Sequence, residues 1–92
     1  MARRYGAGVP IEVLRRDEEP AGFVRGRRHY LVRSVLAHWV EARPWWVGLE
    51  PGGLTEREVW RVEASVDRGE IGVYDLQFDW SSGRWSLAGV LD

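Results

Sequence analysis

The chain has 92 residues and carries 13 basic against 14 acidic side chains, so its net charge is −1. This length corresponds to one domain, and the near-neutral charge argues against a protein that coats DNA. Cysteine is absent, which excludes disulfides, thiolate metal sites and cysteine nucleophiles.

The first eight residues contain two arginines and no apolar run, so they do not have the pattern of a signal peptide. We predict that residues 1–8 are a flexible N-terminus and that residues 9–92 form a single small β domain. No apolar run approaches the ~20 residues of a membrane helix, and we expect a cytoplasmic protein.

The N-terminal part of the domain has the pattern of short strands. Every second residue from Val9 to Val13 is a branched aliphatic, which is typical of a strand with one buried face. The polar stretch 16–22 contains a proline and a glycine and predicts a turn. Residues 23–32 predict a hairpin in which the chain reverses near Gly26.

Residues 33–42 fit two structures. Their apolar residues match a helical stripe that includes Trp39 and Val40, yet the segment begins as a β-rich run. A strand at least through Leu36 is favoured because the neighbouring segments are strands, and a short helical turn near 36–42 is the alternative. Trp39 is predicted to lie in the core in either structure.

The stretch 43–56 is the longest irregular region, because its prolines and glycines forbid a regular element of any length. It contains the adjacent pair Trp45 and Trp46. Neighbouring side chains of an extended segment point to opposite sides, so the two rings cannot both face the core. We expect one ring to anchor the loop on the domain and the other to be offered to a partner.

The C-terminal half alternates most clearly. Every second residue from Trp60 to Val66 is apolar, and so is every second residue from Tyr74 to Trp80. This half-solvated alternation indicates antiparallel strands with these side chains inward, and with Asp75 on the outer face. The two strands are joined by a short polar turn.

The last segment completes a meander. A Ser-Ser-Gly turn at 81–83 leads into a strand over 84–92, with Trp85 and Leu87 on its buried face. We therefore predict an all-β fold, a five- or six-stranded antiparallel meander that closes toward a small barrel. The helical turn near 36–42 stays an alternative within that fold.

Signals for catalysis and metal binding are weak. His29 and His38 stand nine residues apart, and no acid completes a recognisable metal-ligand spacing. The sequence has no nucleophile elbow, phosphate-binding loop, dinucleotide fingerprint or paired catalytic carboxylates. We expect no metal and no cofactor, and an enzyme with an unrecognised site is only the second alternative function.

Aromatic and arginine side chains carry the remaining signal, since the chain has six Trp and no lysine. Trp and Arg dominate protein–protein hot spots. Arg25, Arg27 and Arg28 also fit single-stranded nucleic acid, whose bases stack on rings for roughly 1–3 kcal/mol each while arginines follow the phosphates. The alternative is structural: these arginines belong to a solvated hairpin that pairs with the acidic half of the chain and binds no ligand.

Six stretches, in order, carry a family resemblance. They are PIEV at 10–13, RGRRHYLVRSVLAHW at 25–39, RPWW at 43–46, WRVEA at 60–64, VYDLQFD at 73–79 and GRWSLAGVLD at 83–92. Together they resemble a small actinobacterial domain of unknown function. They also resemble the C-terminal segment of the ImuB-type, Y-family polymerase-like subunit of the mycobacterial-style mutasome. The individual motifs are short, and their order and the ending carry the resemblance.

The resemblance implies a non-catalytic role, because that subunit is regarded as inactive and acts as an adaptor for proteins of damage-tolerant replication. The candidate partner-binding residues that match the shared pattern are Trp45, Trp46, Arg84 and Trp85. Ser86 and Leu91 depart from it, since the subunit often has aromatics there. No polymerase body or clamp-binding segment is found in these residues.

The leading expectation is a non-catalytic protein-interaction module, accessory to DNA-damage tolerance or another nucleic-acid process. The first alternative is a β-barrel that binds single-stranded nucleic acid directly through Arg25, Arg27 and Arg28. A salt series separates the two, because phosphate binding weakens steeply with salt and an apolar Trp interface does not.

Overall fold

The computed structural model describes residues 3–43, 55–66 and 69–91. All regular structure in these residues is β. In chain order the strands are β1 (Arg3–Pro10), β2 (Glu12–Arg16), β3 (Glu19–Arg25), β4 (Arg28–Arg43), β5 (Thr55–Val66), β6 (Ile71–Asp79) and β7 (Arg84–Leu91). The predicted all-β meander is confirmed as a half-barrel, with seven strands in place of five or six. The described residues include no helix that could cross a membrane.

A bend at Ile11 curves the sheet into a half-barrel. The strands are all antiparallel, in the order β1-β7-β6-β5-β4-β3-β2, so β1 and β2 lie on opposite edges. Only Ile11 separates these two strands, and its backbone N–H donates to the carbonyl of Trp85 over 3.3 Å. The first segment is therefore one bent strand that joins both edges of the sheet. It begins at Arg3, whereas the sequence placed the start of the domain at residue 9.

The core lies on the concave face of the sheet. Its fully or nearly fully buried apolar side chains are Phe23, Trp60, Val62, Ala64, Leu76 and Leu87. Val9, Ile11 and Val13 of the bent strand pack against this cluster, as their alternation predicted. Burial of a large aliphatic side chain contributes about 1.5–3 kcal/mol to the free energy of folding. The inward-facing side chains of β5 and β6, which the alternation predicted, are therefore the main source of stability.

Two β-bulges in β4 explain why its sequence looked helical. The register with β5 shifts once after Val32 and again after Val35. Each shift inserts one extra residue, so the concave face receives Val32, Val35 and His38 at a spacing of three, close to the period of a helix. The predicted helical turn near 36–42 is wrong, because these residues belong to β4 and pair with β5.

Three side chains lie differently from the sequence prediction. Trp39 is half-buried outside the core, under the guanidinium of Arg61, whose central carbon lies 5.2 Å from the ring centroid. Trp80 is largely exposed, because the chain already turns where its backbone N–H bonds to the carbonyl of Glu56. Asp75 lies on the predicted outer face but is buried there as the partner of Arg61.

The pair of Arg61 and Asp75 joins β5 to β6 on the convex face. The two residues lie directly opposite each other, and Arg61 donates from Nε to Oδ1 at 2.8 Å and from Nη2 to Oδ2 at 3.0 Å. These hydrogen bonds raise the pKa of Arg61 above its ordinary value. A two-bond, charge-assisted contact of this kind has a defined geometry and fixes the register of the two strands.

The turn between β2 and β3 is shorter than the sequence predicted. Asp17 and Glu18 form it alone, with φ values of 53° and 67°. Two consecutive residues of positive φ match the twist of a tight hairpin, so β3 begins at Glu19 and the longer turn over 16–22 is wrong. The reversal near Gly26, which has a φ of 61°, is confirmed.

Candidate functional site

One end of the half-barrel opens as a groove on the concave face. The β2–β3 turn, the start of β5 and the turn that follows β6 all lie at this end, because successive connections of an antiparallel meander alternate between ends. The cavity measures about 380 Å³ and is lined by Arg15, Glu18, His38, Glu58, Trp60, Phe78 and Trp80. We call it the mouth groove.

Aromatic rings form one wall of the mouth groove. Phe78 lies opposite Trp85 in the β6–β7 ladder, and their ring centroids are 5.0 Å apart. Trp80 meets Phe78 edge to face at 5.5 Å. Trp80 follows the last residue of β6 and remains 57% exposed. The wall therefore presents a large aromatic surface that is only partly packed against the protein.

Arg15 reaches over this aromatic wall from the other edge of the sheet. Its guanidinium carbon lies 5.1 Å from the ring centroid of Trp85 and 5.5 Å from that of Phe78. Both distances are within the range of cation–π attraction. Because Arg15 belongs to β2 and the rings belong to β6 and β7, the contact spans the gap between the two edges of the half-barrel.

His38 and Trp60 form the facing wall. Their rings are stacked, with centroids 3.7 Å apart and an interplanar angle of 18°. The Nε2 atom of His38 lies 2.8 Å from Oε2 of Glu58, which precedes Trp60 by two residues and therefore shares its face of β5. The indole nitrogen of Trp60 is buried and has no hydrogen-bond partner among the described atoms. The imidazole is thus held between a ring and a carboxylate.

The described lining of the mouth groove is slightly acidic. One guanidinium, that of Arg15, stands beside the carboxylates of Glu18 and Glu58, so the lining carries an excess of one negative charge when His38 is neutral. A planar group can stack on the rings, and a cationic group can also form an ion pair with the carboxylates. In ranges 3–43, 55–66 and 69–91, no group of three His, Cys, Asp or Glu side chains could hold a metal ion.

The structure describes two of the four residues that the sequence proposed for partner binding, and these two lie together. Arg84 and Trp85 line one cavity of about 220 Å³ beside the mouth groove. Trp85 also packs against Phe78 of the mouth groove, and Arg84 lies opposite Asp79. Trp45 and Trp46 lie outside the described residues, so their predicted roles stay predictions.

The arginines proposed for nucleic-acid binding lie at the other end of the half-barrel. Arg25, Arg27 and Arg28 surround the β3–β4 turn, where they line an open cavity of about 450 Å³ together with Tyr30. The Tyr30 ring is stacked on Phe23, with centroids 4.5 Å apart. One face of this ring is therefore already covered, and the arginines are not brought to the mouth groove.

Sequence reasoning proposed none of the seven residues that line the mouth groove, four of which are polar. Arg15 extends the inward alternation that ends at Val13, and Glu58 precedes the buried Trp60 by two residues, so both continue a core face as polar side chains. A polar side chain at the next inward-facing position of a strand is typical of the rim of a barrel, so the sequence pattern could have predicted both residues. It could not have predicted His38, because the bulges of β4 change which residues face inward.

Comparison with known proteins gives one match. Residues 9–92 match a protein family described as a domain of unknown function (DUF6504). No curated protein and no solved structure matches the chain.

Proposed function

The chain belongs to the DUF6504 family of domains of unknown function, and we propose that it is a non-catalytic module that binds a partner protein through the mouth groove. The observation that carries the proposal is the exposed indole of Trp80, held edge to face on Phe78. A large aromatic ring that is partly exposed and already oriented loses little conformational freedom when a partner covers it.

The composition of the groove supports a protein interface. Trp, Tyr and Arg are enriched at hot spots, which cluster where a ring fills a pocket that excludes water. The mouth groove combines Trp80 and Phe78 with the guanidinium of Arg15, and Trp85 packs against Phe78 from beside it. Its described lining includes no Ser, Thr, Cys or Lys nucleophile, which supports a binding role over a catalytic one.

Binding of single-stranded nucleic acid through Arg25, Arg27 and Arg28 is the alternative. Their clustering around one turn favours it. Two observations weigh against it: the ring beside them, Tyr30, is stacked on Phe23, and the aromatic wall at the opposite end has acidic neighbours. A single-stranded binding site needs rings and cations along one track.

The finer assignment comes from the sequence resemblance to the C-terminal segment of the ImuB-type subunit. We propose on that basis that the partner is a component of DNA-damage tolerance and that the domain acts as an adaptor in an actinobacterial host. Of the residues that match the shared pattern, Trp85 packs against Phe78 of the mouth groove and lines the neighbouring cavity together with Arg84.

The test is affinity purification of the tagged protein from its host at low and at high salt, with and without nuclease. We expect a protein that co-purifies under all these conditions, because a Trp-based contact is insensitive to salt compared with phosphate binding. Recovery that disappears with nuclease would favour the nucleic-acid alternative. Repair or replication proteins among the recovered partners would support the finer assignment.

A further inference from the structure

We propose that the mouth groove accepts the cationic side chain of an arginine or lysine in a basic segment of the partner. This inference rests on the proposed function, because it names the chemistry of the partner at the same groove. Three features of the groove lead to it: the aromatic wall, the guanidinium already placed over that wall, and the excess of carboxylates.

The aromatic wall already holds a guanidinium. Arg15 lies at 5.1 and 5.5 Å from two ring centroids, although it is attached to a strand at the other edge of the sheet. The rings of Phe78 and Trp85 are therefore placed so that a planar cation can lie against them. Trp80 extends the same wall into solvent and is 57% exposed, which leaves aromatic surface for a second cation.

The carboxylates give the groove its preference for positive charge. Glu18 is exposed on the β2–β3 turn and lines the groove. Glu58 is mostly buried, and one of its oxygens is engaged by His38. Because rings and carboxylates both attract cations, their combination selects an arginine or lysine and disfavours an acidic segment or a phosphate chain.

The experiment uses the intact protein and short synthetic peptides. The probes are a Gly-Arg repeat, a Gly-Lys repeat and a Gly-Glu repeat of equal length, titrated into labelled protein while the backbone and indole N–H resonances are followed by NMR. We expect the Arg and Lys peptides to shift the resonances of Trp80 and Trp60. The Glu peptide is expected to shift neither.

Three variants test the chemistry. Glu58→Gln keeps a side chain that can hydrogen-bond to His38 but removes the charge, and we expect about threefold weaker peptide binding. Glu70→Gln, an exposed residue in the connection before β6, is the matched control and is expected to leave binding unchanged. Arg15→Gln removes the internal cation, and we expect binding to tighten, which a purely structural role of Arg15 would not produce.

Equal shifts with the Arg and Glu peptides, or no change of affinity in Glu58→Gln and Arg15→Gln, would overturn the inference. The proposed function is tested separately by the co-purifying partner. If that partner depends on Trp80 but is recovered equally by Glu58→Gln, the groove binds a protein without selecting a cation. If the basic peptides bind and no partner protein is recovered, the inference stands and the proposed function fails.

Discussion

The imidazole of His38 lies on the indole of Trp60 with 3.7 Å between the ring centroids, and its Nε2 atom is 2.8 Å from Oε2 of Glu58. This stack joins β4 to β5 at the point where the buried core meets the mouth groove. The polar ring of His38 covers one face of Trp60, where an apolar side chain would otherwise be needed, and it forms part of the inner wall of the groove.

Replacing His38 with Ala should destabilise the protein modestly. The stack is worth about 0.5–1.5 kcal/mol beyond the area it buries, and the variant exposes one face of Trp60. Urea denaturation followed by circular dichroism measures the loss. Leu36→Ala, an exposed residue of the same strand, is the control and should stay within about 0.5 kcal/mol of the wild type. Equal stabilities of the two variants would show that the stack contributes nothing.

Replacing Asp75 with Asn should be more costly. The variant removes the negative charge and replaces one of the two acceptor oxygens with an NH2 donor that faces the guanidinium of Arg61, which costs about 1–3 kcal/mol. A double-mutant cycle with Arg61→Met isolates the pair. We expect the double variant to be more stable than the sum of the single losses predicts, and strict additivity would show that the pair is not coupled.

Replacing Leu76 with Ala tests the core. This side chain is fully buried on the concave face, so truncation should cost about 2–5 kcal/mol. Ile71, at the start of the same strand, is 59% exposed, and Ile71→Ala should change the free energy of unfolding by less than about 0.5 kcal/mol. Similar losses in chemical denaturation would contradict the assignment of the concave face as the core.

The turn after β6 predicts a dependence of stability on pH. Hydrogen bonds from Ser81, first from its hydroxyl and also from its backbone N–H, lower the pKa of Asp79 below the ordinary value. A folded pKa below the unfolded one stabilises the protein above the ordinary carboxyl value of about 3.9, and this stabilisation is lost as the pH falls through the folded pKa.

Ser81→Ala should therefore raise the pKa of Asp79 toward its ordinary value and reduce stability at neutral pH more than at acidic pH. Ser82→Ala keeps the backbone donors and serves as the control. Titration of the Asp79 carboxyl by NMR gives the pKa in both variants. An unchanged value in Ser81→Ala would show that the hydroxyl bond does not form in solution.

Local alternation predicted most of the fold. It placed Trp60, Leu76 and Leu87 correctly, because a two-residue period with one solvated face specifies both strand and orientation. It failed at β4, where two bulges convert that period into a spacing of three. It also failed at Trp80, where the strand ends before the apolar pattern does.

The mouth groove was harder to predict than the core. Arg15 lies near the start of the chain and Trp85 near its end, and they meet only because the chain bends at Ile11 and joins both edges of the sheet. No local pattern encodes that closure. The sequence did single out Trp85 together with Arg84, and the two lie at one cavity, whereas the fold places the arginines of the nucleic-acid alternative at the opposite end.

Partner binding is proposed to depend on the mouth groove. The most direct measurement compares co-purification by the wild type, Trp80→Ala and Ile71→Ala after nuclease treatment, with folding of each variant checked by circular dichroism. Both replaced side chains are more than half exposed, so neither change should unfold the protein. We predict that Ile71→Ala recovers the wild-type partner and that Trp80→Ala does not. Recovery of the same partner in the same amount by Trp80→Ala would show that binding does not depend on the mouth groove.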